Sequence, residues 1–255
     1  MKHKILLIAG GEICHSYFCN QLRLACNTVT FDIIQFKSKI PDFNYFYEIY
    51  SNNLRNESEK REIIEFIFRR NLTFAQKQNY TMLQLPLESV LCSDLDEFDN
   101  KLQKALETYK YKAVFLYGAP IIKSQQLLDA TPPCFNIHLG LSSSARGGDA
   151  NIFSLAEKNF TGVGLTCHLV TPEIDNGSTI FEIKEINLGN IFTIDELNYI
   201  LIEKALKKIA AIINLGLNQL NYYTVPVGKM YLNKQMEANI VIKAEKNLKL
   251  SSFKS

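Results

Sequence analysis

The chain has 255 residues, of which 47% are hydrophobic and 21% are charged, and its 28 Lys and Arg nearly balance its 26 Asp and Glu. This length suits one sizeable α/β domain, and the apolar content excludes disorder as a global description. A net charge of +2 disfavours a bulk nucleic-acid binder, since such domains usually carry a strong basic excess.

The N-terminus and the cysteines together indicate a cytoplasmic protein. About six apolar residues follow the basic start, too few for a secretory signal, and no stretch approaches the ~18 apolar residues of a membrane span. The cysteines show no C-x-x-C spacing, which disfavours a zinc or redox site and favours reduced thiols. There are six of them: Cys14, Cys19, Cys26, Cys92, Cys134 and Cys167.

The first 36 residues predict a β-α-β unit. Residues 4–9 form a continuous apolar run that is typical of a central parallel strand, and residues 12–25 and 28–36 follow with helical and strand patterns. Gly10-Gly11 lacks the full G-x-G-x-x-G pattern. We therefore interpret it as a turn at the end of the strand rather than as a dinucleotide site.

Residues 37–95 are less regular, and they contain one clear helical pattern at residues 58–70. Ser58 is the expected N-cap of this helix, and Arg69-Arg70 closes it. Adjacent arginines usually form a solvated face or complement the dipole at the end of a helix. A role in binding an anion, for example a pyrophosphate, is the alternative.

Strands and helices alternate beyond Asp96. This alternation favours an α/β fold with a doubly wound, mostly parallel, Rossmann-like sheet. From Gly228 onward the sequence suggests short strand-like pieces. The predicted helices lie at residues 98–108, 124–130, 149–158 and 194–215, and the predicted strands at 113–117, 134–138, 163–170 and 178–186.

Polar side chains lie where three of the predicted strands end, which is where open α/β sheets bind ligands. Asn136 and His138 are two residues apart on one strand and therefore face the same side. The other two ends carry Tyr117-Gly118-Ala119-Pro120 and Asp175-Asn176-Gly177. An amide can donate to an oxyanion while an imidazole handles a proton, although a structural histidine and an Asx turn are the ordinary interpretations.

Other kinds of site find little support in the sequence. The remaining histidines, His3, His15 and His168, show no metal-ligand spacing with His138, so we expect no metal. There is no G-x-S-x-G nucleophile elbow and no P-loop.

Four segments of the chain resemble the 10-formyltetrahydrofolate-dependent formyltransferases. That family carries an N-x-H motif, a following R-G, a G-V-T-like strand and a D-x-G well downstream of the histidine, and all four occur here in that order. His138 and Asp175 are 37 positions apart, which fits the family. The matching segments are 135–141 (FNIHLGL), 145–148 (ARGG), 162–166 (GVGLT) and 174–180 (IDNGSTI).

The resemblance implies transfer of a formyl group from N10-formyltetrahydrofolate, as co-substrate, to a primary amine. In that reaction Asn136 would donate to the oxyanion, His138 would stabilise charge and shuttle a proton, and Asp175 would hold His138 or a water and accept the proton of the amine. The pterin would lie against main-chain groups, as flat heterocycles often do. The residues implied in folate binding are Tyr117, Gly118, Ala119, Pro120, Ile121, Ile122, Thr171 and Gly177.

Departures from the family pattern indicate which class of acceptor molecule the protein uses. The chain has His138-Leu139-Gly140 where glycinamide-ribonucleotide and methionyl-tRNA formyltransferases have H-P-S, and it carries a late segment, GKMYL, at residues 228–232. Both features resemble the branch that formylates amino sugars on nucleotide carriers for surface polysaccharides. Gly10-Gly11-Glu12 is a poor match to the phosphate loop of the glycinamide branch.

The resemblance also implies a formyltransferase catalytic domain at residues 1–215 with a short C-terminal extension at 216–255, which is too short for the second domain of the tRNA branch. We expect an amino-sugar nucleotide to be the partner, and we expect no binding to nucleic acid or to a membrane. A homodimer is possible from the sequence. Methionyl-tRNA formylation, folate binding without turnover and hydrolysis of formyl-folate are the alternatives. The sequence does not identify the sugar, the position of its amine or the nucleotide.

Overall fold

A computed structural model describes residues 3–36, 47–48, 50–51, 53–77, 89–122, 132–184, 186–217 and 220–252. The strands are β1 (His3–Ala9), β2 (Val29–Phe36), β3 (Ser89–Cys92), β4 (Ala113–Tyr117), β5 (Cys134–His138), β6 (Ala145–Gly147), β7 (Leu165–Leu169), β8 (Thr179–Ile183) and β9 (Lys229–Tyr231). The helices are α1 (Ile13–Ala25), α2 (Glu57–Lys77), α3 (Leu95–Thr108), α4 (Ala150–Ala156), α5 (Ile194–Leu215) and α6 (Ala238–Ser252).

Seven strands form one sheet in the order β3-β2-β1-β4-β5-β7-β8. The first five strands of this order are parallel, and β7 runs antiparallel to both β5 and β8. The mostly parallel α/β fold predicted from the sequence is therefore confirmed. The antiparallel strand matters for the site, because it returns the chain beside the end of β5.

Both faces of the sheet are buried, as the continuous apolar run of β1 predicts. Ile5 and Leu7 face a core covered by α1, α2, α4, α5 and α6, whereas Leu6 and Ile8 face a smaller core under α3. Alternate residues of this strand thus pack into two different cores, since successive side chains of a strand point to opposite faces.

The helices follow the expected pattern, with differences at α2 and α4. α5 has the predicted bounds: Thr193 accepts from the Glu196 amide at 3.1 Å at its start, and Gly216, with a φ of 100°, follows its end. α2 runs past Arg70 to Lys77, and Asn56 rather than Ser58 accepts the first-turn amide of Glu59 at 3.0 Å. α4 is shorter than predicted, and the predicted helix at 124–130 lies outside the described residues.

The C-terminal segment packs into the main core. β9 pairs in parallel with β6, and α6 packs against α4 with Val241, Ala244 and Leu248 fully buried. The prediction of short strand-like pieces after Gly228 is right for β9 and wrong for α6. The extension at 216–255 therefore shares the core of the residues before it.

The cysteines are all free thiols and all are buried. No helix among the described residues has the length and apolar character that a membrane crossing requires.

Candidate active site

Four polar side chains converge where β5, β7 and the β7–β8 loop meet. Asn136 and His138 occupy alternate positions of β5, and the antiparallel register sets His168 of β7 directly opposite Asn136. The β7–β8 loop then returns Asp175 over this pair. The structure therefore brings together the three predicted residues, and it adds His168.

Asp175 is the centre of this group. Its Oδ1 accepts a 3.0 Å hydrogen bond from Nδ2 of Asn136, and its Oδ2 accepts one of 2.9 Å from the Gly147 amide. Nε2 of His168 lies 3.3 Å from Oδ1, and Nδ1 of His138 lies 3.4 Å from Oδ2. Asp175 has a φ of 50°, a conformation that Asp tolerates better than most residues, and the bonds at both of its oxygens hold it there.

These neighbours keep Asp175 ionised although it is buried. Burial alone would raise its pKa, but the adjacent imidazoles of His138 and His168 and the hydrogen bond from the Gly147 amide together lower the pKa to about 2. Asp175 is therefore a carboxylate at neutral pH, able to stabilise a positive charge beside it.

Strand β6 supports Asp175 and explains the R-G motif. The Gly147 amide binds the carboxylate directly, while Arg146 donates from Nη1 to the Ile174 carbonyl at 3.2 Å and from Nε to the Gly228 carbonyl at 2.9 Å. The side chain of Arg146 thus ties the loop before Asp175 to the segment that leads into β9. The C-terminal segment contributes in this way to the geometry of the site.

His138 has a geometry that favours proton exchange. Its Nε2 lies 3.1 Å from the Ala145 carbonyl, which can only accept, so Nε2 carries a hydrogen. Its Nδ1 is left facing the Asp175 carboxylate. Burial lowers the pKa of His138 below its usual value, despite the opposing effect of Asp175. The neutral ring therefore presents a basic Nδ1, and a proton added there would pair with Asp175.

His168 fixes the orientation of the Asn136 amide. Its Nδ1 donates to the Leu169 carbonyl at 2.8 Å, so that Nε2 accepts from Nδ2 of Asn136 at 3.3 Å. Both N–H groups of Asn136 are thus directed, one to Asp175 and one to His168. Sequence reasoning missed His168 because its position opposite Asn136 arises only from the antiparallel register.

A cavity of about 580 Å³ adjoins these residues. All of the residues implied in folate binding line it except Gly177. Among the described residues, the main-chain groups of 119–122 make no hydrogen bond, so they are available to a heterocycle with donors and acceptors. A Cβ at Gly177 would overlap the Leu169 carbonyl, so this glycine permits close packing of the β7–β8 loop.

Gly118 combines a positive φ with a close contact that leaves no room for a side chain. Its φ is 61°, and a Cβ would overlap the ring of His15, which packs edge-on against Tyr117. His15 in turn accepts a 3.1 Å hydrogen bond at Nδ1 from the Glu12 amide. The glycine thus leaves room for a histidine of α1 in the wall of the cavity.

A second group of charged residues lines the cavity, and we call it the Arg70 cluster: Glu12, Tyr50, Arg70 and Asp149. Nε of Arg70 donates to Glu12 at 3.0 Å, and its Nη1 lies 3.3 Å from Asp149 and contacts the Tyr50 hydroxyl. The Tyr50 hydroxyl donates to Asp149 at 2.9 Å. Arg70 is therefore not part of a solvated face, and neither is Arg69, which pairs with Glu245 at 2.9 Å.

Metal chemistry finds no support in the part of the chain that the structure describes. No group of three or more His, Cys, Asp or Glu side chains there could hold a metal ion. The cavity therefore combines a carboxylate, a basic imidazole nitrogen and an oriented amide, which suits proton transfer and stabilisation of an oxyanion.

No protein-family model matches this sequence, and neither does any curated protein. Several solved structures described as formyltransferases share this fold. They include a 4-N formyltransferase from Francisella tularensis (17% identity, TM-score 0.57, 95% of this chain and 87% of that one) and a sugar N-formyltransferase from a Shewanella species (16%, 0.54, 95% and 87%). A third, from Helicobacter canadensis, was solved with folinic acid and dTDP-3-aminofucose (14%, 0.56, 96% and 81%). At these identities the likeness establishes the fold.

Proposed function

We propose that this protein transfers a formyl group from N10-formyltetrahydrofolate to the primary amine of a nucleotide-linked amino sugar. One observation carries the proposal: Asp175 is hydrogen-bonded to Asn136 and flanked by His138 and His168, and this group adjoins a cavity lined by the loop at residues 117–122. The N-x-H, R-G and D-x-G residues of the sequence resemblance all contribute to this one arrangement. The fold shared with sugar N-formyltransferases agrees with it.

The reaction begins when the nitrogen of the amine attacks the formyl carbon, and the carbonyl electrons move to oxygen. Asn136 donates to that oxyanion by releasing its longer contact, the 3.3 Å one to His168. A donor prepared in this way stabilises charge that exists only in the transition state and the intermediate.

Proton transfer is assigned to His138. A carboxylate with a pKa of about 2 is a weak base, so Asp175 is better suited to stabilising an imidazolium than to taking the proton itself. Nδ1 of His138 takes the proton of the attacking amine and then delivers it to N10 as the bond between N10 and the formyl carbon breaks. The products are a formamide and tetrahydrofolate, and His138 is neutral again.

We further propose that the reaction takes place in the cytoplasm. Six free, buried thiols in one chain agree with a reducing compartment.

The test is to incubate the protein with formyl-folate and a panel of dTDP- and UDP-linked amino sugars, followed by mass spectrometry. We expect one panel member to gain a formyl group, and His138→Asn to abolish the gain. His3→Asn is the matched control because His3 is exposed on β1. Formylation of methionyl-tRNA without any sugar product, or release of formate without an amine, would overturn the assignment of the acceptor. Folate binding without any turnover would overturn the enzymatic role.

A further inference from the structure

The Arg70 cluster carries no spare positive charge. Its guanidinium faces two carboxylates, Glu12 at 3.0 Å and Asp149 at 3.3 Å, so the group has a net negative charge. Burial raises the pKa of Glu12, but Arg70 and His15 outweigh it and hold that pKa below its usual value. A phosphate placed here would meet two anions for one cation. This geometry disfavours the pyrophosphate role left open for Arg69-Arg70.

Two buried oxygens that form no hydrogen bond with the described residues line the same cavity. Oδ2 of Asp195 and Oδ1 of Asn198 are buried and have no hydrogen-bond partner among the described residues. Nε of Arg69 lies 3.7 Å from Oδ2 of Asp195, an ion-pair distance that is too long for a hydrogen bond, and Nε also has no hydrogen-bond partner among the described residues. Arg70 is also close enough for its charge to act on Asp195. Because a buried polar atom without a hydrogen bond is costly, these two oxygens suit a polar ligand.

The Arg70 cluster adjoins the proposed catalytic residues. Asp149 follows Gly147 by two residues, at most ~7 Å along the chain, and the Gly147 amide binds Asp175. Asp149 occupies the N-cap of α4 with a φ of 50°, yet its side chain does not cap the helix. The carboxylate faces Tyr50 and Arg70 instead. A residue in this unusual conformation therefore presents its carboxylate to the cavity.

We propose that the Arg70 cluster, together with Asp195 and Asn198, is the subsite for the hydroxyl- and amine-bearing ring of the acceptor, and that the acceptor's phosphates lie outside it. Hydroxyl and ammonium groups supply the hydrogens that carboxylates and an amide oxygen accept. This inference rests on the proposed function, since it identifies which part of the sugar nucleotide lies beside Asp175.

Calorimetry with two simple probes tests the subsite without folate or turnover. D-glucosamine, an amine-bearing polyol, and inorganic pyrophosphate are titrated separately into the wild-type protein at millimolar concentrations. We expect glucosamine to bind and Asp149→Asn to weaken it about tenfold, the effect of losing a charge-assisted hydrogen bond. Asp96→Asn, an exposed carboxylate in the first turn of α3, is the matched control and should leave binding unchanged.

Asn198→Ala separates ligand binding from a structural role. Because Oδ1 of Asn198 has no partner among the described residues, this variant should weaken glucosamine binding several-fold without lowering the unfolding midpoint. If the Arg70→Gln variant still binds pyrophosphate, the pyrophosphate site lies outside the Arg70 cluster, as the proposal requires.

Three results overturn the subsite: pyrophosphate binding that Arg70→Gln abolishes, no binding of glucosamine, or equal glucosamine affinity in wild type, Asp149→Asn and Asn198→Ala. The formylation assay decides the proposed function separately. A protein that formylates a sugar nucleotide but binds pyrophosphate through Arg70 would keep the function and lose this inference.

Discussion

Asp195 allows a quantitative test of the buried charges around the cavity. It is 2% exposed, and burial, with the nearby Glu245 carboxylate, raises its pKa from 3.8 to about 7 despite the opposing effects of Arg70 and Arg69. A carboxyl whose pKa is higher in the folded than in the unfolded protein stabilises the fold most at a pH where it is protonated in both states. That stability is lost as the pH rises through the folded-state pKa.

The size of the effect follows from the two pKa values. Between pH 5.5 and 7 the unfolded chain has already released this proton while the folded chain still holds it. Each pH unit there removes ~1.4 kcal/mol from the free energy of unfolding, which gives a loss of about 2 kcal/mol by pH 8. The Asp195→Asn variant has no proton to release at this position. Its free energy of unfolding relative to that of the wild type should therefore be about 2 kcal/mol higher at pH 8 than at pH 5.5.

Urea unfolding at both pH values measures this difference. Far-ultraviolet circular dichroism is a suitable signal, since the chain has no Trp. The substitution itself can carry a constant cost, but a constant cost cancels when the two pH values are compared. Asp96→Asn is the control, because Asp96 occupies the same first-turn position of another helix and is exposed. If the stability difference between Asp195→Asn and wild type is the same at both pH values, the folded protein does not raise the pKa of Asp195.

Three further predictions concern turnover and packing. Asn136→Ala should lower kcat by about 10²–10³-fold with little change in folate Kd, which single-turnover kinetics and titration would check, and an unchanged kcat would leave the residue structural. Gly118→Ala should destabilise the fold by about 1–3 kcal/mol because its φ is positive and its Cβ overlaps His15; an unfolding free energy equal to that of the wild type would contradict this. Leu248→Ala should cost about 2–5 kcal/mol, and a cost below ~1 kcal/mol in urea unfolding would show that α6 is not part of the core.

The sequence predicted best those elements whose pattern is set locally. β4, β5 and α5 have the predicted bounds, because apolar runs buried on both faces and a long amphipathic stretch are legible without tertiary information. α6 lies in the tail after Gly228, where the sequence predicted only short strand-like pieces. Its burial at Ala238, Val241, Ala244 and Leu248 follows the helical period instead, and packing against α4 outweighs the intrinsic preference.

The candidate site was predictable where one strand carries the residues. Asn136 and His138 share a face by simple alternation, and Asp175 was identified by the resemblance. His168 and Asp149 could not be placed in the same way, since one depends on the β5–β7 register and the other on a contact with Arg70 across 79 positions. Two features noted in the sequence, the Arg69-Arg70 pair and the Gly10-Gly11-Glu12 loop, contain members of the Arg70 cluster.

The buried thiols allow local unfolding of the protein to be measured by alkylation. Burial raises the pKa of all six cysteines, and a protonated, inaccessible thiol does not react with alkylating reagents. Three of them lie in or just after α1, and the other three lie on β3, β5 and β7. Alkylation rates read out peptide by peptide would therefore show whether α1 detaches before the sheet separates, without any engineered label.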